Sequence, residues 1–291
     1  MRKFRLRLIH LTRINYLSRF KISYLLILDE SLELIYTKSP TEIAALLNIS
    51  SKKASFIYYK LHSIDFINEI KADSQTCYII TYFDPYYPTQ LKTIPDPPYV
   101  IYAQGNLDLL KVSKSLSVIG TRKPTRDGKY KVNHFVKPLV KNNWIIVSGM
   151  ARGIDSYAHK AALSNNGKTI SVLGSGFENI YPKENKALYE EIKNKGLVIT
   201  EYPPHKKPKP YHFPARNRII SGLTKGTIVI ESGERSGTLI TVDQALEQGR
   251  EVFVVPGELS STQTLGNNKL IQQGAKLILT IEDIEEDFVT I

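Results

Sequence analysis

Ser117-Val118-Ile119-Gly120-Thr121-Arg122-Lys123-Pro124-Thr125-Arg126 decides how the second half of the chain folds. A short β-branched run stops at a glycine, passes through two cations and reaches Pro124 and Thr125, either of which suits the opening of a helix. The same order recurs downstream. Apolar runs at Trp144-Ile145-Ile146-Val147, Thr169-Ile170-Ser171-Val172-Leu173, Leu197-Val198-Ile199, Thr227-Ile228-Val229-Ile230, Val252-Phe253-Val254-Val255 and Lys276-Leu277-Ile278-Leu279 alternate with helical segments. Hydrophobicity that is continuous rather than alternating marks strands buried on both faces of a parallel sheet. Strand followed by helix, repeated this often, predicts a doubly wound α/β domain.

Ligands of such sheets bind outside the carboxyl ends of the strands, where loops lead into helix N-termini. The loop after the first strand offers Gly120, Thr121, Arg122, Lys123 and Arg126. Glycine lets a phosphate approach backbone N–H groups, and Arg122 can present a planar fork to phosphate oxygens. The second loop is Ser148-Gly149-Met150-Ala151-Arg152-Gly153-Ile154-Asp155. The third holds Gly174-Ser175-Gly176 and then Tyr181-Pro182-Lys183. The fourth carries Lys206-Lys207-Pro208-Lys209 and then Phe213-Pro214-Ala215-Arg216-Asn217-Arg218, and the fifth Ser232-Gly233-Glu234-Arg235-Ser236-Gly237-Thr238. Any one of these glycines is explained by turn geometry, and a single surface arginine is usually just solvated. Consecutive loops on one sheet edge, each with a cation beside small residues, predict one long anion-binding groove. Tyr181, Tyr211 and Phe213 are candidate stacking faces worth roughly 1–3 kcal/mol per base where stacking occurs, with core packing the plainer role for each alone.

Composition agrees with a polyanionic partner. The 291 residues suffice for one or two domains, and 42% hydrophobic with 23% charged residues is ordinary for a globular protein. The formal charge of +11 is not, and such an excess favours partners whose phosphates release counterions on binding. A lone cysteine, Cys77, excludes an internal disulfide and reads as a small buried hydrophobe in a reducing compartment. Met1-Arg2-Lys3-Phe4-Arg5-Leu6-Arg7 is basic, but no sustained apolar core follows it, and Leu25-Leu26-Ile27-Leu28 is too short to span a bilayer. The sequence therefore reads as cytoplasmic, with no membrane association.

Residues 1–75 form a helical N-terminal segment, SAM-like or helix-turn-helix-like. From Phe4 to Leu61 apolar positions recur at helical spacing. Ser39, Pro40 and Glu42 make a capping box with proline at the first helical position, so a helix should run to Leu47, end at Asn48, and be followed by another from Ser50 or Ser51 to Leu61. Two short helices on a tight turn can read a DNA groove or simply pack. Residues 76–110, with Asp84-Pro85-Tyr86-Tyr87-Pro88 and Pro95-Asp96-Pro97-Pro98, read as a Pro- and Tyr-rich connector that is extended, packs on the next domain and ends at Gly105-Asn106. Residues 111–291 are the α/β domain.

Several chemistries lack their residues. Gly174-Ser175-Gly176 begins like a dinucleotide fingerprint, but Asn179 stands at the third glycine and the strand is not the first of the sheet. No glycine run ends in Gly-Lys-Ser or Gly-Lys-Thr. Asp155 and His159 share a helix face without a third ligand, which favours a helix-face contact over a metal pair. Ser148 lacks the flanks of a nucleophile elbow, and no acidic cluster suggests a two-metal nuclease. No catalytic residue, metal or cofactor is therefore expected.

The run Ser117 to Arg122, the run Ser148 to Asp155, and Phe213-Pro214-Ala215-Arg216-Asn217-Arg218-Ile219-Ile220-Ser221-Gly222-Leu223 together resemble the DNA-processing protein A (DprA/Smf) family. So do Ser236-Gly237-Thr238-Leu239-Ile240-Thr241, Gln244-Ala245-Leu246-Glu247-Gln248-Gly249-Arg250 and Val255-Pro256-Gly257, and the resemblance covers roughly residues 82–280. It implies an extended Rossmann-like, mostly parallel doubly wound sheet preceded by a small helical domain. It also implies sequence-independent binding and protection of single-stranded DNA, loading of the RecA recombinase during natural transformation, and a homodimer. The family's DNA-contacting arginine in the Gly-x-Arg turn and lysine after Tyr-Pro fall on Arg122 and Lys183, with Arg152, Arg216 and Arg218 extending the track. Some members carry a C-terminal winged helix, for which the sequence after the short acidic helix near Glu282 to Asp287 leaves no room. Two other readings remain. Some phosphoribohydrolases share a related fold, but Thr241 stands where their loop carries a carboxylate. A helix-turn-helix duplex binder at residues 39–61 would have only Lys52, Lys53 and Lys60 as cations.

Overall fold

The computed structural model describes residues 2–288; Met1 and residues 289–291, the ends of the two expected domains, lie outside the described residues. The chain divides into two compact units. One comprises the chain up to Pro85 together with Pro98–Tyr102, the other Tyr86–Pro97 together with everything from Ala103 onward.

The first unit holds helices α1 (Arg2–Arg13), α2 (Arg19–Leu28), α3 (Leu34–Thr37), α4 (Pro40–Leu47), α5 (Ser51–Leu61) and α6 (Ile64–Thr76), then strand β1 (Tyr78–Thr81). The expected capping box is present: the Glu42 N–H donates to Ser39 Oγ at 3.3 Å, and the Ser39 N–H donates to the Glu42 carboxylate at 2.8 Å. Asn48 ends α4 in the left-handed region with φ 47°. Leu8, Leu11, Ile22, Ile43 and Ile57 meet in one buried apolar core. Beside that core the Arg13 guanidinium is buried against two groups, Asp73 Oδ2 at 2.6 Å and the Tyr102 hydroxyl at 2.8 Å. Cys77 is buried, and desolvation pushes its thiol up to about 12.

In the second unit, α7 (Thr89–Lys92) precedes β2 (Val100–Gly105), which begins in the first unit and ends in the second. Then β3 (Ser115–Ile119), α8 (Gly128–Lys141), β4 (Ile145–Ser148), α9 (Ile154–Ser164), β5 (Thr169–Leu173), α10 (Lys186–Lys195) and β6 (Leu197–Thr200) follow. The chain continues through α11 (His212–Gly222), β7 (Gly226–Val229), α12 (Gly237–Glu247), β8 (Glu251–Val254), α13 (Leu265–Gln272), β9 (Lys276–Leu277) and α14 (Glu282–Glu285). From β6 to β9 the sheet order is β6-β5-β4-β3-β7-β8-β9, and every neighbouring pair is parallel. All seven strands expected from the sequence are there. Leu116, Ile146, Ile228 and Phe253 are buried with Phe135 and Leu139 of α8 and Ala158 of α9 in one core cluster.

Two expectations need correction. The segment 82–106 is not simply extended, because it contains α7 and most of β2. A proline breaks a helix only where its missing N–H would be bonded, and Pro88 stands before the first turn of α7. The helix after β3 opens at Gly128 rather than Pro124 or Thr125, because the Thr125 N–H and hydroxyl are both held by the Glu231 carboxylate, at 2.8 and 2.6 Å.

Breaking the Arg13–Asp73 pair from one side should be costly. Asp73→Ala leaves a buried guanidinium without its counter-charge and is expected to lose about 3–5 kcal/mol, read as a lower urea midpoint for the helical unit. Arg13→Met combined with Asp73→Ala removes both charges and should recover much of that loss.

Candidate nucleic-acid interface

Because every pairing from β6 to β9 is parallel, the loops after β3, β4, β5, β6 and β7 emerge on one edge. The chain runs outward from β3 through β4, β5 and β6 on one side, and through β7, β8 and β9 on the other. The order reverses between β3 and β7, and a crevice opens at that switch point. There a cleft of about 440 Å³ is lined by Gly120–Lys123, by Phe213, Pro214, Arg216 and Asn217 of α11, and by Ser236, Gly237, Thr238 and Thr241 at the start of α12. A smaller hollow beside it is lined by Arg122, Gly149, Ala151, Arg152, Tyr181, Pro182, Phe213 and Arg216.

The Gly120 turn is fixed from behind. The Thr121 N–H donates to the Glu231 carbonyl at 2.7 Å, and the Ile154 N–H donates to the Thr121 carbonyl at 3.2 Å. A methyl on Gly120 would stand 2.8 Å from that same Glu231 oxygen, so the backbone can lie this close only without a side chain. Arg122 and Lys123 are exposed. The Arg122 guanidinium carbon lies 6.0 Å from the centre of the Phe213 ring, and Phe213 in turn meets Tyr181 at a centroid distance of 5.4 Å. One cation and two aromatic faces thus share the wall between the cleft and the hollow. Tyr211 is exposed, with Lys209 Nζ 5.7 Å from its ring centre.

Arg216 plays a different part from Arg122. Its Nη1 donates to the carbonyls of Gly149 at 2.5 Å and Val172 at 2.6 Å, and the side chain is buried. Desolvation lowers its pKa to about 10, so it stays charged at neutral pH. A methyl on Gly149 would come within 2.0 Å of that Nη1, which makes the glycine a requirement of the buried arginine. Asp155 stands nearby, accepting the Gly149 N–H at 3.2 Å and the Ala151 N–H at 3.4 Å; burial raises its pKa, with Arg216 opposing. Together these groups shape the loop from Gly149 to Arg152.

The structure therefore brings some expected site residues together and not others. Gly120, Thr121, Arg122, Lys123, Gly149, Ala151, Arg152, Phe213, Arg216 and Asn217 line the cleft or the hollow. Ser148 is buried, donating to the Val118 carbonyl at 2.7 Å, and Met150 is buried at φ 56° with its carbonyl held by Asn185 Nδ2. Gly174 packs against the Phe213 ring from behind. Arg218 is turned inward, bonded to both Glu201 oxygens at 2.8 and 2.9 Å and to Asp96 at 3.0 Å. Burial pulls its pKa down, but those two carboxylates outweigh it and hold it above the ordinary value. Arg126, Lys183 and Arg235 are exposed but outside the lining of either space. The sequence reading missed Glu231, which is wholly buried and also ion-paired to Lys131 Nζ at 2.8 Å. The expected fifth loop does reach the cleft through Ser236, Gly237 and Thr238 at the start of α12, where Ser236 Oγ accepts the Thr238 N–H at 3.2 Å as N-cap.

Residues 78–289 match the family model of DNA recombination-mediator protein A. The chain belongs to that family. A family relative, the DNA processing protein DprA of Bacillus subtilis (strain 168), is 50% identical over 201 residues, which are 69% of this chain and 68% of that protein. The DprA of Streptococcus pneumoniae (strain ATCC BAA-255 / R6) is 47% identical over 205 residues, 70% of this chain and 72% of that one. Among solved structures, DNA processing protein A of Streptococcus pneumoniae aligns with a TM-score of 0.86 at 36% identity over 99% of each chain. DNA processing protein A of Helicobacter pylori, described for its single-stranded DNA binding mode, aligns with a TM-score of 0.66 at 30% identity, over 72% of this chain and 95% of that one. Family membership and the extended Rossmann-like sheet thus agree.

Asp155 and His159 bond to different partners. His159 Nδ1 lies 2.7 Å from Thr169 Oγ1, whose hydroxyl donates to the Ile146 carbonyl at 2.7 Å, so the imidazole is the donor to Thr169. Among the described residues no group of three or more His, Cys, Asp or Glu side chains is placed to hold a metal. Burial lowers the His159 pKa from 6.5 to about 3. Because the folded value lies below the unfolded one, this group's stabilisation is complete above pH 6.5 and is lost as pH falls from 6.5 towards 3. The loss should have a slope of about 1.4 kcal/mol per pH unit, measured by urea unfolding across that range, and His159→Gln should flatten it.

Proposed function

We propose that this protein binds single-stranded DNA in the switch-point cleft without strong sequence preference, protecting it and loading the RecA recombinase onto it during natural transformation. The observation that carries the DNA reading is Arg122 lying 6.0 Å over the Phe213 ring within the cleft. A phosphate can take the exposed guanidinium while the neighbouring base meets the aromatic face, a pairing that suits an unstacked strand and not a closed duplex. The reading is supported by the net charge of +11 and by the Helicobacter pylori relative. Gly120 and Thr121 supply backbone close to the phosphate, Lys123 and Asn217 extend the wall, and Ser236 and Thr238 offer hydroxyls at the N-terminus of α12. Arg216 acts through the Gly149 loop that it holds. Lys183, exposed beyond Pro182, and Arg126 and Arg235 continue the basic rim outside the cleft. Action in the cytoplasm as a homodimer, with RecA as protein partner, completes the proposal. The protein's part is to grip and hand over a strand, with no bond made or broken.

Fluorescence anisotropy with an oligo-dT tests it. Affinity should fall with salt, with a log–log slope of roughly −0.7 per phosphate neutralised. Arg122→Ala and Lys183→Ala should each bind several-fold more weakly, and a folded double variant with unchanged affinity would overturn the site.

A further inference from the structure

The smaller hollow has an asymmetry. Arg152 lines it together with Tyr181 and Phe213, yet its ion-pair partner Glu184 does not. Arg152 Nε donates to Glu184 Oε1 at 2.5 Å and Nη2 donates to Oε2 at 2.8 Å, a side-on pair that occupies one edge of the guanidinium. A guanidinium has five N–H donors, so three remain, on Nη1 and the outer side of Nη2. Nη1 bonds to nothing else among the described residues. The pair also sits on a prepared base: the next residue, Asn185, is buried and donates through Nδ2 to the Met150 carbonyl at 2.8 Å, tying the turn that bears Glu184 to the loop that bears Arg152. Arg152 holds the Glu184 carboxyl below its ordinary value, so both partners are charged at neutral pH.

We propose that Glu184 is a positioning residue for DNA binding: from behind, it clamps Arg152 so that the free edge of the guanidinium faces the hollow and meets a backbone phosphate there. This rests on the single-stranded DNA reading of the cleft and adds to it an acidic residue whose removal weakens binding. Simple electrostatics predicts the opposite sign. A carboxylate at the rim repels a polyanion, so a purely charge-based role would make its loss tighten binding. Pre-ordering works the other way, because a long side chain already held in its bound conformation has less freedom to lose on binding. Both partners of the pair are more than half exposed, so the pair itself adds little to stability and its removal leaves the fold intact.

The test is oligo-dT anisotropy on the full chain with four proteins beside the unaltered one: Glu184→Ala, Glu184→Gln, Arg152→Ala, and Arg152→Ala with Glu184→Ala. Glu184→Ala should weaken binding roughly threefold to tenfold. Glu184→Gln, which keeps an oxygen acceptor for Arg152, should recover part of the loss. In the Arg152→Ala background Glu184→Ala should weaken nothing further, and thermal melts should match throughout. Tighter or unchanged binding by Glu184→Ala, or an equal loss in both backgrounds, overturns the proposal while Arg122 dependence leaves the cleft reading standing. If the unaltered protein does not bind the oligonucleotide, the cleft reading fails and this inference fails with it.

Discussion

A buried carboxylate at the end of β7 holds the cleft together. Glu231 is wholly inside, yet it takes the Thr125 N–H, the Thr125 hydroxyl and the Lys131 ammonium, while its own carbonyl takes the Thr121 N–H. Each hydrogen bond to a charged group is worth about 1.5–3 kcal/mol, and a buried charge deprived of its partners costs more than that. The loop after β3 is thereby tied to the strand on the other side of the switch point. The exposed Arg122 thus keeps a fixed place over the crevice.

The next loop follows the same logic with the charges reversed. Buried Arg216 is satisfied by carbonyls at the ends of β4 and β5, and buried Asp155 gathers the amides that follow β4. Two buried polar side chains, one donating to a carbonyl of the Gly149–Arg152 turn and one accepting its amides, hold that turn between them. Glycine at 149 follows from this, since the guanidinium occupies the volume a side chain would need. The interface is thus built in two tiers, with inner charges that shape backbone and outer cations left open to solvent.

This division explains what could be read from the sequence. Strands β3 to β8 were legible because burial leaves nearly continuous apolar, β-branched runs, edge strand β9 because it leads into the buried Ile278, and the capping box at Ser39 is a local rule fulfilled locally. Strands β1 and β2 were not, since Tyr78–Thr81 stands outside the strand–helix alternation, directly after a helix of the first unit, and β2 follows a proline cluster that reads as connector. At the site, Arg122, Arg216 and Arg218 look alike in sequence. Their fates differ because Arg216 meets carbonyls 44 and 67 residues away, and Arg218 meets Asp96 across 122 residues. No local pattern encodes such distances. Glu231 was invisible for the same reason, while Gly120 and Arg122 were visible because a turn and an exposed cation carry their meaning within a few residues.

The clamp on Thr125 spans 106 residues of chain. During synthesis the turn at Gly120 is therefore made long before the strand that fixes it, and the intervening helices and strands must pack first. A ribosome-bound chain that has passed β4 and β5 already carries Arg122, Lys123 and Arg152 but not the cleft, whose other walls arrive with α11, β7 and α12. Competence to hold a ligand is consequently one of the last properties the domain acquires, and only a chain with its sheet in order has it.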